Sequence, residues 1–283
     1  MNFSIPEVVS DFFTDDLRFF IKSSRNGFRE FKNMNQARYT LATVAGEYEL
    51  RVPVPLGARP GAVSQERLHG FKSLDRQWLE NPAEVARCAI DVLLATSAMP
   101  VEAIPWSSSP EIVSVDIGLI RNSNSLHNLA QKALVDDDIR RVVAEPLPEF
   151  SGAAFVHGDF KPDNLMIAPD RSVVAVIDWE NAGIGAPELD AASLIAGLIY
   201  VSVRSAVKAD GTEWKNLTEL LNHVGSVERA WVAKTENANA FRLALAKYLF
   251  IRLCGYYNDV EQDDRCAFIL KKLIKKTWGL PLV

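Results

Sequence analysis

The sequence has few of the features that define several protein classes. It contains only three cysteines, Cys88, Cys254 and Cys266, and their spacing matches no metal-binding motif. An odd number of cysteines without such spacing indicates reduced, mostly buried thiols, as in cytoplasmic proteins. The N-terminal segment MNFSIPEVVSDFF also lacks the basic-then-apolar order of a secretory signal. We therefore expect a cytoplasmic protein.

The chain also lacks an excess of positive charge and a long hydrophobic run. Its 31 basic and 36 acidic side chains give a net charge of −5, which argues against nucleic acid as a partner and favours a cationic ligand. The most apolar run, Leu194 to Val203, is too short to span a bilayer. We expect it to form a core helix and expect no membrane partner.

Several catalytic motifs are missing as well. The sequence contains no Gly-x-x-x-x-Gly-Lys-Ser/Thr loop, no Gly-x-Ser-x-Gly elbow and no His-Glu-x-x-His zinc site. Gly183 and Gly185 lack the third glycine of a dinucleotide-binding fingerprint, since Glu188 stands there. These absences argue against P-loop enzymes, serine hydrolases, zinc proteases and dinucleotide-dependent enzymes.

The first 69 residues mix strands and one helix. Val8–Phe13 and Leu17–Lys22 have the composition of short strands, and apolar residues recur every three or four positions from Phe28 to Ala45, which predicts an amphipathic helix. A further strand is expected near Ala62–Gln65. Beyond residue 70 the patterns are mostly helical. The predicted helices begin near Pro82 and cover 126–144, 188–206, 239–257 and 265–278.

One polar stretch interrupts the helical part. Phe155 and Val156 lead into His157–Asn164, and two short apolar segments, Leu165–Ile167 and Val173–Ile177, flank a turn. Asp178 ends the second segment, where burial alone explains an acidic residue poorly.

Three side chains in this stretch suit phosphoryl transfer from ATP. That reaction requires a carboxylate to orient the incoming hydroxyl and oxygen ligands for Mg²⁺. Asp159 is the candidate for the first role, and Asn164 and Asp178 are candidates for the second, from either side of a hairpin. The structural alternative, that each is a turn residue, accounts for one of them more easily than for all three.

The motif HGDFKPDN followed by IDWE resembles the catalytic and metal-binding loops of the aminoglycoside phosphotransferase and choline kinase family. Gly185–Asp190 resembles a further segment of that family, with Ala186 in place of the usual aspartate. The resemblance implies that Asp190 braces the catalytic loop and that His157 is a hydrogen-bonded support. For Lys161 it suggests contact with the transferred phosphate, as in protein kinases, and a solvated loop lysine is the alternative.

The resemblance extends more weakly to the N-terminal part. Lys22 ends an apolar segment like the strand whose lysine contacts nucleotide phosphates. Its carboxylate partner is open: the family's spacing points to Gln36, whereas helical periodicity favours Glu30. No glycine precedes Gly27, so the usual glycine-containing cover over the phosphates is shortened or rebuilt. Ala62–Gly70 resembles the connection between lobes, where backbone groups bind adenine.

Together these features predict an α+β, bilobal, protein-kinase-like fold. We expect a nucleotide-binding lobe over residues 1–69 and a helical lobe over residues 70–283. The expected activity is transfer of the γ-phosphate of ATP, with Mg²⁺, to a hydroxyl group of an aminoglycoside-like, amino-alcohol or sugar acceptor. Acidic residues after position 190, among them Glu213, Glu219 and Asp259, offer binding groups for an amine, and the alternative is that they are surface groups. The alternative is a pseudokinase scaffold without turnover, favoured by the glycine-free N-terminus and by Gln36.

Overall fold

A computed structural model describes the chain over residues 19–23, 26–41, 48–97, 134–147, 154–208, 214–258 and 264–279. Within these ranges, nine strands and eight α-helices form a mixed fold, which confirms the predicted α+β class. The strands are concentrated before residue 74 and between residues 154 and 185. The longest helices follow residue 187. The predicted strand Val8–Phe13 lies outside the described residues.

The first sheet carries Lys22. Its strands β1 (Phe19–Ser23), β4 (Ala62–Glu66) and β3 (Pro55–Arg59) are antiparallel in the order β1-β4-β3, and Lys22 pairs with Val63. Helix α1 (Gly27–Leu41) packs against β3 and β4. It begins at glycine because a Cβ atom on Gly27 would lie 2.0 Å from the carbonyl oxygen of Ala62. The sheet and α1 together hold Lys22 in place.

Strand β4 corrects the predicted connection between lobes. Residues 62–66 pair with strands on both sides, so their backbone groups are occupied by the sheet and are not available to bind adenine. Only residues 67–71 remain as an unpaired connection before strand β5 (Lys72–Ser73). The strand prediction for 62–65 is confirmed, and the longer connection 62–70 is wrong.

A second sheet joins early and late parts of the chain. Strands β2 (Glu49–Arg51), β8 (Val173–Val176), β7 (Leu165–Ile167) and β5 lie in that order, with β2 parallel to β8 and the other pairs antiparallel. The hairpin β7–β8 is therefore confirmed. Strand β2 precedes residue 69 yet pairs with β8. The lobe boundary at residue 69 stays a prediction, and this sheet crosses it.

A third, two-stranded sheet explains the paired glycines. Strand β6 (Ala154–Val156) pairs antiparallel with β9 (Gly183–Gly185), which sequence patterns did not predict. Gly183 and Gly185 thus belong to a strand beside β6. The dinucleotide fingerprint has no structural counterpart in this part of the chain.

The helices form the larger core. They are α2 (Leu74–Glu80), α3 (Pro82–Ser97), α4 (Asp137–Ala144), α5 (Pro187–Lys208), α6 (Trp214–Val232), α7 (Ala238–Asn258) and α8 (Asp264–Thr277). Helix α5 packs against α6 and α7. Its stretch Pro187–Val207 is long and apolar enough to cross a membrane, but 78% of the most apolar window is buried inside the protein. This burial agrees with the predicted core helix.

Most helix predictions succeeded, but one predicted helix is partly wrong and two helices were not predicted. The predicted helices near 82, 188–206, 239–257 and 265–278 are confirmed, with small shifts at their ends. The expected helix over 126–144 is wrong at residues 134–136, which form a turn before α4. Asp136 is the N-cap of α4, because its side chain accepts the backbone N–H groups of Asp138 and Ile139. Residues 126–133 lie outside the described ranges. Helices α2 and α6 were not predicted.

The three cysteines agree with the prediction of buried, reduced thiols. Cys88, Cys254 and Cys266 are all buried and unpaired with one another. Burial raises the pKa of Cys88 to about 12, with smaller contributions from the charges of Asp91 and Glu84, and burial likewise raises the pKa of Cys254 to about 12. Because the thiolate is the reactive form, these cysteines behave as core side chains.

Helix α5 and the loop before β7 touch at Gly197, where only glycine fits. A Cβ atom there would lie 2.3 Å from the Pro162 side chain. We expect Gly197→Ala to lower the free energy of unfolding by about 1–3 kcal/mol, because overpacking forces the loop to move. Urea denaturation measures this change. The control is Gly255→Ala on α7, whose added Cβ meets nothing within 4 Å and gains helix propensity. Equal losses in both variants would contradict the close contact.

Candidate active site

The loop His157–Asn164 connects β6 to β7 and folds back on itself. It ends in a single 3-10 turn, Pro162–Asn164, which Pro162 begins. This turn directs the Asn164 side chain toward the start of the loop, where its Nδ2 donates to the backbone oxygen of Asp159 at 2.8 Å. The same Nδ2 lies 3.4 Å from the carboxylate Oδ2 of Asp159. Two of the predicted site residues are therefore in direct contact.

A buried carboxylate on α5 fixes the beginning of this loop. Asp190 accepts the backbone N–H of His157 at 2.7 Å and that of Gly158 at 2.9 Å. Gly158 has φ +78°, which glycine adopts without steric cost. Burial raises the pKa of Asp190, while these two N–H bonds oppose the rise. The bracing role that the family resemblance implied for Asp190 agrees with this geometry.

His157 joins this loop to the segment that carries Asp178. The ring Nε2 lies 2.7 Å from the carbonyl oxygen of Ile177, and the ring Nδ1 accepts the backbone N–H of Asp159 at 3.2 Å. A carbonyl can only accept and an N–H can only donate, so these partners assign the ring proton to Nε2. His157 is 1% exposed and packs on Trp179, with 4.7 Å between ring centroids. Its position fits a structural support.

Asp178 occupies an unusual backbone conformation. Its φ of +69° and ψ of +55° lie in the left-handed region, immediately before the 3-10 turn Trp179–Asn181. An L-residue in this region costs roughly 1–2 kcal/mol, although aspartate tolerates it better than most. The loop around Asp178 is therefore held by other contacts. Asn33 of α1 supplies two of them, donating to the backbone oxygens of Trp179 at 2.8 Å and Ala182 at 3.1 Å.

Lys22 lies between two carboxylates. Its Nζ donates to Glu30 Oε1 at 3.1 Å and forms a second, shorter ion pair with Asp178. Burial alone would lower the pKa of Lys22, but the hydrogen bond and charge of Asp178, together with those of Glu30, outweigh it and raise that pKa. The lysine is therefore held as a cation at the site.

Glu30 is the helix residue that faces Lys22. It is fully buried on α1, whereas Gln36 lies six residues further along the same helix. Helical periodicity therefore predicted the partner correctly, and the family's spacing did not. The ion pair that Gln36 would have removed is present.

Lys161 lies beside Asp159. Its Nζ donates to Asp159 Oδ2 at 2.8 Å and lies 3.9 Å from Asp163 Oδ2. Burial would lower the pKa of Lys161, but the charge of Asp159 and the hydrogen bond to it produce a net rise. The lysine therefore stays charged next to the candidate catalytic carboxylate, and it is not an isolated loop side chain.

The predicted residues thus form two contacting groups. Asp159, Lys161 and Asn164 touch one another, and Lys22 touches Asp178. The backbone connects the groups, since the N–H of Ile177 donates to the carbonyl oxygen of Asn164 at 3.0 Å. Carboxylate oxygens of Glu30, Asp178 and Glu180 also lie within 4.8 Å of one another, a separation that suits a hard cation. Sequence reasoning missed Glu180, although it stands two residues after Asp178.

A sequence profile of the phosphotransferase enzyme family, which carries the short label APH, matches residues 12–216. This range includes all five predicted site residues and Asp190. The chain belongs to this phosphotransferase family. The membership confirms the predicted enzyme class, a small-molecule phosphotransferase. No curated protein matches the sequence at a significant level.

Solved structures of the same kind resemble the chain. A thermostable mutant of aminoglycoside phosphotransferase APH(4)-Ia, in a ternary complex with AMP-PNP and hygromycin B, has a TM-score of 0.52 and 18% identity, covering 92% of this chain and 85% of that one. A choline/ethanolamine kinase family protein from Mesorhizobium loti has a TM-score of 0.49 and 15% identity, with coverage of 93% and 83%. The choline kinase of Streptococcus pneumoniae has a TM-score of 0.46 and 10% identity, with coverage of 94% and 87%. The likeness to the aminoglycoside phosphotransferase, whose TM-score exceeds 0.5, shows that the chain has the predicted bilobal, protein-kinase-like fold.

The brace at Asp190 can be tested by a substitution that keeps the size of the side chain. In Asp190→Asn, one acceptor oxygen becomes an NH₂ group that faces a backbone N–H in a buried site. We expect the free energy of unfolding to fall by about 1–3 kcal/mol, measured by urea denaturation. Asp137→Asn is the matched control, because that carboxylate is 81% exposed and forms only a surface ion pair. A loss no larger than that of the control would show that Asp190 does not hold the loop.

Proposed function

We propose that the protein transfers the γ-phosphoryl group of ATP, with Mg²⁺, to a hydroxyl group of a small molecule. The observation that carries this proposal is the network of His157 and Asp190, which ties the Asp159 loop to the Asp178 loop. Phosphoryl transfer depends on holding such groups in fixed positions more than on covalent chemistry by the protein. The contacts of the site residues support the roles that we propose for them.

Asp159 is the residue that would receive the hydroxyl proton. Its side chain is 28% exposed, so an acceptor can reach it, and Lys161 and Asn164 orient it through hydrogen bonds. As the acceptor oxygen forms its bond to the γ-phosphorus, the bond from that phosphorus to the β-phosphate oxygen breaks and ADP leaves. Lys161, held as a cation beside Asp159, would reduce the negative charge near the transferred group.

Lys22, Asn164 and Asp178 would bind the nucleotide and its metal. The donor set suits Mg²⁺, which prefers a few carboxylate and amide oxygens together with phosphates. Asn164 and Asp178 would hold the ion, with Glu180 close by, and Lys22 would contact the phosphates. Bound Mg²⁺ supplies positive charge that neutralises the phosphates and orients them.

The scaffold alternative has lost one of its two arguments. Because Glu30 faces Lys22, the missing ion pair that Gln36 implied does not occur. The other argument, the glycine-free segment before Gly27, concerns mostly residues outside the described ranges. The contacts among Asp159, Lys161 and Asn164 support turnover over a scaffold role.

An ADP-release assay with Mg²⁺ and ATP tests the proposal against a panel of aminoglycosides, amino alcohols, sugars and hydroxy acids. We expect Asp159→Asn to lower kcat with the active acceptor by about 10²–10⁴-fold, because the hydroxyl loses its proton acceptor. The control is Asp170→Asn, which changes an exposed carboxylate in the β7–β8 turn. Turnover by Asp159→Asn at the wild-type rate, or no acceptor-dependent turnover across the panel, would refute the proposal.

A further inference from the structure

A large cavity lies against the loop that carries Asp159. It has a volume of about 610 Å³, and its wall includes Pro162 and Asp163, which follow Asp159 by three and four residues. Helices α2, α5 and α7 supply the rest of the wall. A volume of several hundred Å³ is typical of small-molecule sites.

Two arginines and two aspartates provide the charged groups of this wall. Arg204 is on α5 and Arg252 is on α7, while Asp75 is in the first turn of α2 and Asp163 is in the loop. The guanidinium carbon of Arg204 lies 6.0 Å from the ring centre of Tyr200, which also lines the cavity. This ring contact holds Arg204 along the wall. The two arginines balance the two aspartates, so this wall does not share the net negative charge of the whole chain.

Arg252 lines the same cavity wall as Pro162 and Asp163 and has unused hydrogen-bonding capacity. Its positive charge opposes the rise that desolvation causes in the pKa of Asp163, and it slightly offsets the net rise in the pKa of Lys161. The Nε of Arg252 is buried without a hydrogen-bond partner among the described residues. The Oδ1 of Asp75 is in the same condition. Buried polar atoms of this kind are normally satisfied, so both atoms point to a bound group.

Arg252 also departs from its sequence surroundings. It follows Leu249, Phe250 and Ile251 and precedes Leu253, in a helix whose neighbouring side chains are mostly buried. A planar, permanently charged guanidinium is suited to bidentate recognition of a carboxylate or phosphate. A cationic acceptor would gain nothing from two arginines at this place.

We propose that this cavity binds the acceptor and that the acceptor is a hydroxylated carboxylic acid, whose carboxylate is bound by Arg252 together with Arg204. The inference rests on the proposed function, because it names the substrate class of the same site. A carboxylate suits the cavity better than a phosphate, since Asp75 and Asp163 would repel the second negative charge of a phosphate. Asp75 can accept a hydrogen bond from an ammonium or a second hydroxyl of the same molecule. The charges that line the cavity therefore favour a carboxylate ligand, whereas the net charge of the chain favoured a cationic one.

The test compares acceptors of three charge types in the ADP-release assay. They are hydroxy and amino-hydroxy carboxylic acids, sugar phosphates, and the cationic aminoglycosides and amino alcohols. We expect the carboxylic acids to be used, and we expect Arg252→Gln to raise their KM by about 10–100-fold with a smaller change in kcat, because a charged hydrogen bond to the bound substrate is lost. Arg242→Gln, on the exposed face of the same helix, is the control.

Direct binding separates this inference from the proposed function. Titration calorimetry of the same carboxylic acids against the full chain needs no turnover, and Arg204→Gln is a second variant should Arg252→Gln fail to fold. Binding that either variant weakens at least 10-fold supports the inference even if no phosphate is transferred. If a cationic acceptor is phosphorylated in an Asp159-dependent reaction whose rate Arg252→Gln does not change, the inference about the carboxylic acid is overturned. The proposed function would remain intact. Preference for sugar phosphates would overturn the carboxylate assignment, and absence of binding by every carboxylic acid would overturn the inference as a whole.

Discussion

The geometry of the site depends on one buried carboxylate and one imidazole. Asp190, on core helix α5, accepts two backbone N–H groups at the start of the loop that carries Asp159, and His157 in that loop donates to the carbonyl oxygen of Ile177. The helix is fixed by its packing against α6 and α7, so the loop inherits the rigidity of the core. Asp159 and Asp178 each follow a residue whose backbone group is hydrogen-bonded in this network. The two short loops are therefore held in fixed positions relative to each other.

Helix α1 also holds the segment that carries Asp178 in position. Asn33 binds backbone oxygens of the loop after Asp178, and Glu30 binds Lys22, which also contacts Asp178. Moving α1 would therefore disturb the lysine and the carboxylate together. The left-handed backbone of Asp178 is tolerated because contacts on both sides hold it. The same contacts stabilise this region and hold the side chains of Lys22 and Asp178 in position.

Local sequence order was enough to predict part of this arrangement. The loop from His157 to Asn164 and the hairpin after it are short, so their spacing alone limits where the polar side chains lie. Contacts between distant segments were not predictable in that way. The parallel pairing of β2 with β8 requires a crossover through more than a hundred residues, and helix α2 is too short for a clear periodicity. Arg252 reaches the cavity beside the Asp159 loop only through the packing of α7 against α5, which the sequence pattern does not show. Helical phase is a local property, so the sequence could favour Glu30 as the partner of Lys22, but the family's spacing favoured Gln36 and the sequence alone left the two open.

A crystal structure with Mn²⁺ and a non-hydrolysable ATP analogue tests the central claim most directly, since the anomalous signal of Mn²⁺ locates the ion. If the two loops are fixed relative to each other, we expect an anomalous peak within coordination distance of both Asn164 and Asp178, with the γ-phosphate facing Asp159. The account would be contradicted by an ion held only by Glu30 and Glu180, or by a γ-phosphate directed away from the Asp159 carboxylate.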